Sequence, residues 1–147
     1  SSVFLKSFCL FCIQKLNIMN HLHTYEDVRG KLTLLRSGLD VPFDVKRIYW
    51  IYDVPSEQNR GRHANHITWQ YLVAVKGSLR VTIEDRDGRR DYCLQSPDEG
   101  LLVPPMTWNE LYDFSEGAVL LVLASHDYEP ETYINSLDEF RKLIAEK

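Results

Sequence analysis

Beyond about residue 20 the pattern of apolar and polar side chains becomes strand-like. Leu79, Val81 and Ile83 alternate with Arg80, Thr82 and Glu84, the pattern of a strand with one face in a core and the other in water. Arg47-Ile48-Tyr49-Trp50-Ile51-Tyr52 is β-branched and aromatic, and Trp69 to Val75, Gly100 to Val103 and Ala118 to Leu123 are short apolar runs, all favourable strand compositions. Asp87-Gly88, between Val81-Thr82-Ile83 and Tyr92-Cys93-Leu94, predicts a hairpin, because an Asp-Gly pair tolerates the positive φ of a tight turn. Short strands spaced by turn residues predict an all-β antiparallel sandwich or barrel.

One segment departs from that pattern. Ser136-Leu137-Asp138-Glu139 reads as a capping box, and Leu137, Phe140, Leu143 and Ile144 then fall on one helical face. A single helix of about ten residues is expected to close the chain and to pack its apolar face on the outside of the β structure.

Composition narrows the class of function. With 147 residues, 44% of them apolar, one domain is expected, assigned to residues 19–147. Residues 1–18 (SSVFLKSFCLFCIQKLNI) differ from the rest and read as a leader or an appended segment, interrupted by Lys6, Gln14 and Lys15 and too short in its apolar runs to span a membrane. The net charge of −4 offers no field for phosphate-backbone binding, so no nucleic-acid partner is expected. No membrane partner is expected either. Cys9, Cys12 and Cys93 form neither a zinc set nor a disulfide framework and read as reduced thiols in a cytoplasmic protein.

The densest chemistry lies in Arg60-Gly61-Arg62-His63-Ala64-Asn65-His66-Ile67-Thr68-Trp69-Gln70. A G-x-H-x-H-like segment entering a strand, with an acidic residue a few positions on, builds the metal site of many cupin barrels. Here Asn65 and Gln70 stand where a second imidazole and a carboxylate are needed, and Gly100 to Asn109 contributes no His. Neutral amides are poor ligands for a transition metal, so no metal and no other cofactor is expected, and the chemistry falls to side chains.

The residues Val41-Pro42-Phe43-Asp44-Val45-Lys46-Arg47-Ile48-Tyr49, Arg60-Gly61-x-His63-Ala64, Gln70, Gly77-Ser78, Ser96-Pro97 with Gly100-Leu101, Pro105-x-x-Trp108, Asp113-Phe114-Ser115 and Leu121 to Ser125 occur in order along most of the chain. In this the sequence resembles the WxcM-like cupins, the dTDP-4-keto-6-deoxy-D-glucose 3,4-ketoisomerases of deoxyamino-sugar biosynthesis. The resemblance implies a cupin jelly-roll barrel, a homodimer, no metal and a dTDP-linked keto-sugar substrate. It implies Arg60 as a diphosphate contact and Tyr49 near the sugar, with Arg47, Gln70 and Trp108 also in the substrate pocket. Proton transfer in the family is carried by two imidazoles in a His-x-His pattern; the first is His63 and the second position is Asn65. The residues that select the C4 epimer correspond to Arg29 and Asn109.

Moving a ketone from C4 to C3 requires loss of the C3 proton and gain of one at C4 through an enediol. An imidazole with pKa near 7 suits that task, whereas an amide can hydrogen-bond an oxygen but cannot carry a proton at neutral pH. Asn65 therefore leaves three readings open: a ketoisomerase with His63 as base and Tyr49 and Asn65 polarising oxygens, an isomerase or epimerase for a different keto-sugar nucleotide, or a nucleotide-sugar-binding cupin that has lost its proton relay. On the sequence alone, Asn65→His is expected to raise turnover. His66 is expected on the exterior or the rim, and His21, His23 and His126, for which the sequence gives no partner signal, at the surface.

Overall fold

A computed structural model describes residues 18–146. The strands are β1 (Met19–His21), β2 (Thr24–Asp27), β3 (Gly30–Thr33), β4 (Arg47–Tyr52), β5 (Arg60–Asn65), β6 (Gln70–Lys76), β7 (Leu79–Asp85), β8 (Gly88–Leu94), β9 (Glu99–Val103), β10 (Trp108–Tyr112), β11 (Val119–Ala124) and β12 (Tyr133–Ile134), followed by helix α1 (Leu137–Ala145). One five-stranded sheet has the order β1-β9-β6-β11-β4, a second the order β12-β5-β10-β7-β8, and β2-β3 forms a separate hairpin. All of these pairings are antiparallel.

The expected all-β fold with one short C-terminal helix is therefore present, and β7 and β8 pair through the turn before Gly88. Leu72, Ala74, Leu101, Leu120 and Val122 of the first sheet meet Val81, Ile83, Leu94 and Leu111 of the second in the main core. The two sheets thus face each other as a sandwich. Behind the second sheet, Ala64, Trp108 and Ile134 pack beneath Phe140 of α1, with Leu137, Leu143 and Ile144 around them. The Ser136 hydroxyl accepts from the Glu139 amide at 3.2 Å, the capping contact its sequence predicts. Arg141 grips Glu84 of β7 through two bonds, at 2.8 and 3.0 Å, pinning α1 to the sheet.

The first sheet is apolar on its other face too. Tyr71, Val73, Leu102 and Leu123 are covered there by Val41 and Phe43, and Gly100 on the same face leaves room for the Tyr71 ring, since a Cβ at that position would lie 2.1 Å from it. Toward β4 the cover ends: Ile48, Trp50 and Tyr52 are more than half exposed.

Strands β1, β2, β3, β10 and β12 lie outside the sequence reading. The segment WNELY of β10 mixes polar and apolar residues because Asn109 and Glu110 face neighbouring side chains rather than water, and β12 is two residues long. The proposed leader and Cys9 and Cys12 fall outside the described residues, except for Ile18, which packs against both core clusters of the first sheet. Among the described residues, no helix is long and apolar enough to cross a membrane.

Candidate active site

Strand β4 alternates, so Arg47 and Tyr49 share the inner face of the first sheet while Trp50 points away. Across the sandwich, β5 reaches His63 through a bulge. Gly61 and Arg62 are both left-handed, with φ of +74° and +60°, and the register against β10 slips between Asn109 and Glu110. A left-handed arginine is uncommon; here Arg62 pairs with Glu110 at 3.5 Å. The bulge re-aims the strand so that His63 enters the space between the sheets.

The third side of the site is the segment from Tyr128 to Asn135, which leads into β12. Together Arg47, Tyr49, His63, Tyr128, Pro130, Tyr133 and Asn135 line a cavity of about 430 Å³. The Arg47 guanidinium lies over the Tyr49 ring at 5.1 Å and over Tyr128 at 5.8 Å, a cation held by two aromatic faces. The His63 ring is 4.8 Å from Tyr133, which in turn is 5.7 Å from Tyr128.

Three buried polar atoms of this cavity have no hydrogen-bond partner among the described residues: Nε and Nη2 of Arg47 and Nδ1 of His63. Buried polar groups in folded proteins are almost always paired, so a convergence of unpaired ones on a single cavity marks a place built for a polar ligand. Burial holds the His63 imidazole below its ordinary pKa, leaving it neutral and able to accept a proton at pH 7. Burial, followed by the nearby Tyr133, pushes the Tyr49 hydroxyl up to about 12, against weaker opposing effects from Arg47, Gln70 and Arg60. Tyr49 is thus a hydrogen-bond donor throughout the physiological range. Gln70 donates its amide to the Tyr49 oxygen at 3.1 Å, which orients the hydroxyl and leaves its own proton for another acceptor.

The remaining residues singled out from sequence are placed as follows. Asn109 is buried beside His63, its strand partner, and donates to the His63 carbonyl at 3.3 Å. Arg60 is exposed at the start of β5 and is felt at Tyr49 as a positive charge. Asn65 is buried with both ends of its amide bonded: Nδ2 donates to Thr132 Oγ1 at 2.9 Å, and Oδ1 accepts from the amides of Ile67 and Thr68 at 2.9 and 2.8 Å. It closes the turn after β5 and does not line the cavity.

Trp108 differs from expectation. It is 1% exposed, on the opposite face of β10 from Asn109, with its ring 5.9 Å from Phe140. Strand alternation puts it in the core beneath α1 rather than against substrate. Arg29 also lies elsewhere, in the exposed turn between β2 and β3, bonded to Asp27. His126 is half-buried, with Nδ1 2.7 Å from Ser125 Oγ, rather than at the surface. His66 is exposed. Among the described residues no three His, Cys, Asp or Glu side chains converge as a metal site would require.

Tyr128, Tyr133 and Asn135 were not legible as site residues. The available signal was two tyrosines and a proline between the last long strand and the capping box, and aromatic residues in a connecting segment look the same whether they line a cavity or a surface.

Comparison with known proteins places these observations in a family context. A family model described as FdtA, WxcM-like, C-terminal, matches residues 15–145. A TDP-4-oxo-6-deoxy-alpha-D-glucose-3,4-oxoisomerase of Aneurinibacillus thermoaerophilus is 41% identical over 119 residues, covering 81% of this chain and 86% of its own. The crystal structure of QdtA, a sugar 3,4-ketoisomerase from Thermoanaerobacterium thermosaccharolyticum in complex with TDP, aligns with a TM-score of 0.84 at 34% identity, over 87% of this chain and 93% of that one. The WlaRB TDP-quinovose 3,4-ketoisomerase of Campylobacter jejuni aligns with a TM-score of 0.81 at 38% identity, over 84% and 95% of the two chains.

Proposed function

The chain belongs to the WxcM-like, C-terminal family, and from that premise we propose that it is a sugar-nucleotide 3,4-ketoisomerase acting on a TDP-linked 4-keto-6-deoxyhexose. The observation that carries the reading is the set of unpaired buried atoms on Arg47 and His63 around one cavity that also holds the Tyr49 hydroxyl. A keto sugar offers carbonyl and hydroxyl oxygens to such donors and an acidic C–H to such a base.

His63, neutral because it is buried, removes the C3 proton. The C4 carbonyl makes that proton acidic by taking the electron pair onto O4, and the charge that develops there is met by the Tyr49 hydroxyl and the Arg47 guanidinium. Donors fixed in a water-poor site stabilise such an oxyanion at little reorganisation cost. Gln70 and Asn109 act one step back, the first on the Tyr49 oxygen and the second on the His63 backbone. Arg60 at the cavity approach suits the diphosphate.

A homodimer accompanies this reading. Ile48, Trp50 and Tyr52 form an exposed apolar strand face that continues the covered apolar face of the first sheet, and a second copy would shield both protomers with one contact.

The direct test is incubation with TDP-4-keto-6-deoxyglucose in deuterated buffer, following deuterium at C3 and C4 by NMR. The expected result is a 3-keto product carrying deuterium at C4, with exchange at C3 of the remaining substrate, both absent from His63→Asn. If the intact protein gives no exchange at C3 and no product, the reading is wrong.

A further inference from the structure

Removing the C3 proton is half of the reaction; an acid must also deliver one to C4. Among the described residues His63 is the only imidazole lining the cavity, and the amide of Asn65 is bonded to Thr132 and to two backbone amides. The other hydroxyls facing the cavity belong to Tyr49, Tyr128 and Tyr133. Tyr49 is held by Gln70 deep in the site and serves the sugar oxygens, while Tyr128 is 65% exposed at the mouth. Tyr133 lies between these extremes, half-buried and packed against His63.

How Tyr133 reaches that place bears on its role. It is the register partner of Asn65 across the β5–β12 pair, so both residues start from the same face of the sheet. Asn65 turns its amide away to bond Thr132, and Thr132 is further fixed by donating its hydroxyl to the Glu129 carbonyl at 2.7 Å and by accepting from the His66 amide at 2.9 Å. The side chain that cannot carry a proton thus anchors the residue immediately before one that can. The Tyr128 ring beyond Tyr133 completes a row from His63 to solvent.

We propose that Tyr133 is a second catalytic residue of this protein, the acid whose hydroxyl protonates C4. The assignment rests on the ketoisomerase reading above. In the first half, His63 takes the C3 proton, the C3–H electron pair becomes the C3=C4 bond, and the C4=O π pair moves to O4, which takes the Tyr49 proton. In the second half, the Tyr49 phenolate takes the O3 proton, the O3–H pair closes the C3 carbonyl, and the C3=C4 pair takes the Tyr133 proton at C4. This leaves an imidazolium beside a phenolate, and one proton passing from His63 to Tyr133 restores both neutral groups. No oxidant, metal or external base enters the balance.

Tyr133→Phe tests the assignment, because the Phe ring keeps the packing on His63 and Tyr128 and loses only the hydroxyl. In deuterated buffer with TDP-4-keto-6-deoxyglucose, the variant is expected to exchange C3 of the substrate within about threefold of the unmodified protein while 3-keto product formation falls about 10²–10⁴-fold, the usual worth of one general acid. Equal losses of C3 exchange and product would make Tyr133 a support for His63 and overturn the assignment. Product formation at the unmodified rate would also overturn it, leaving His63 to serve both carbons. An intact protein without C3 exchange or product would instead sink the ketoisomerase reading itself, and the Tyr133 role with it.

Discussion

Replacing Asn65 by alanine removes three hydrogen bonds at once, and their surroundings set the cost. The Thr68 residue is 3% exposed, so its amide, deprived of the Asn65 oxygen, is left buried and unpaired, at about 1–3 kcal/mol. Ile67 is 41% exposed, so its amide can turn to water, and the loss there is about 0.5 kcal/mol. Thr132 keeps its bond to the Glu129 carbonyl and loses only the donation from Asn65, about 0.5 kcal/mol more. The sum is about 2–4 kcal/mol, or a fall in melting temperature of roughly 5–15 °C for a domain of this size. Urea titration and calorimetry on Asn65→Ala, Asn65→Asp and Asn65→His measure it. Asn65→Asp keeps both accepted bonds and should retain most of the stability. Asn65→His offers one acceptor nitrogen to two amides, so it should melt lower and lose turnover, in contrast to the gain expected from sequence alone. An alanine variant within about 0.5 kcal/mol of the unmodified protein would refute the argument that Asn65 is the structural tie between β5 and the Tyr133 segment.

The remaining predictions concern the site, the exposed face and the helix. Because burial lowers the His63 pKa and activity needs the neutral ring, kcat/KM should be full at pH 7 and should fall only below the ordinary imidazole value of 6.5; an acid limb centred above that value would contradict the assignment of His63 as base. The same depressed pKa makes the fold lose stability as the pH drops from the unfolded imidazole value toward the folded one, which urea midpoints across that window will show. Trp50→Asp should convert a dimer into a 17.2 kDa monomer in sedimentation, while a dimer that persists would place the contact elsewhere. Trp108→Phe should lower the melting temperature through lost packing against Phe140 and leave KM for the nucleotide sugar unchanged; a rise in KM would return Trp108 to the substrate contacts.

The local pattern determined a good deal. Alternation identified β7, the Asp87-Gly88 turn added β8, β-branched and aromatic composition and short apolar runs marked β4, β6, β9 and β11, and the Ser136 capping box placed α1, because strand propensity, turn chemistry and end-capping depend on residues adjacent in sequence. The family motifs, carried by His63, Gln70 and the Pro105 to Trp108 segment, pointed to the chemistry before any contact was known. Only the tertiary structure decided which of the marked residues meet. Trp108 belongs to the core beneath α1 because strand parity turns it away from Asn109. Asn65 is consumed by a turn whose partner, Thr132, lies 67 residues further along the chain. Tyr133 enters the site because a two-residue strand, too short to leave a periodic signal, pairs with the end of β5. In each case the deciding bond or contact joins distant parts of the chain, and its energy is expressed only after the sheets have packed.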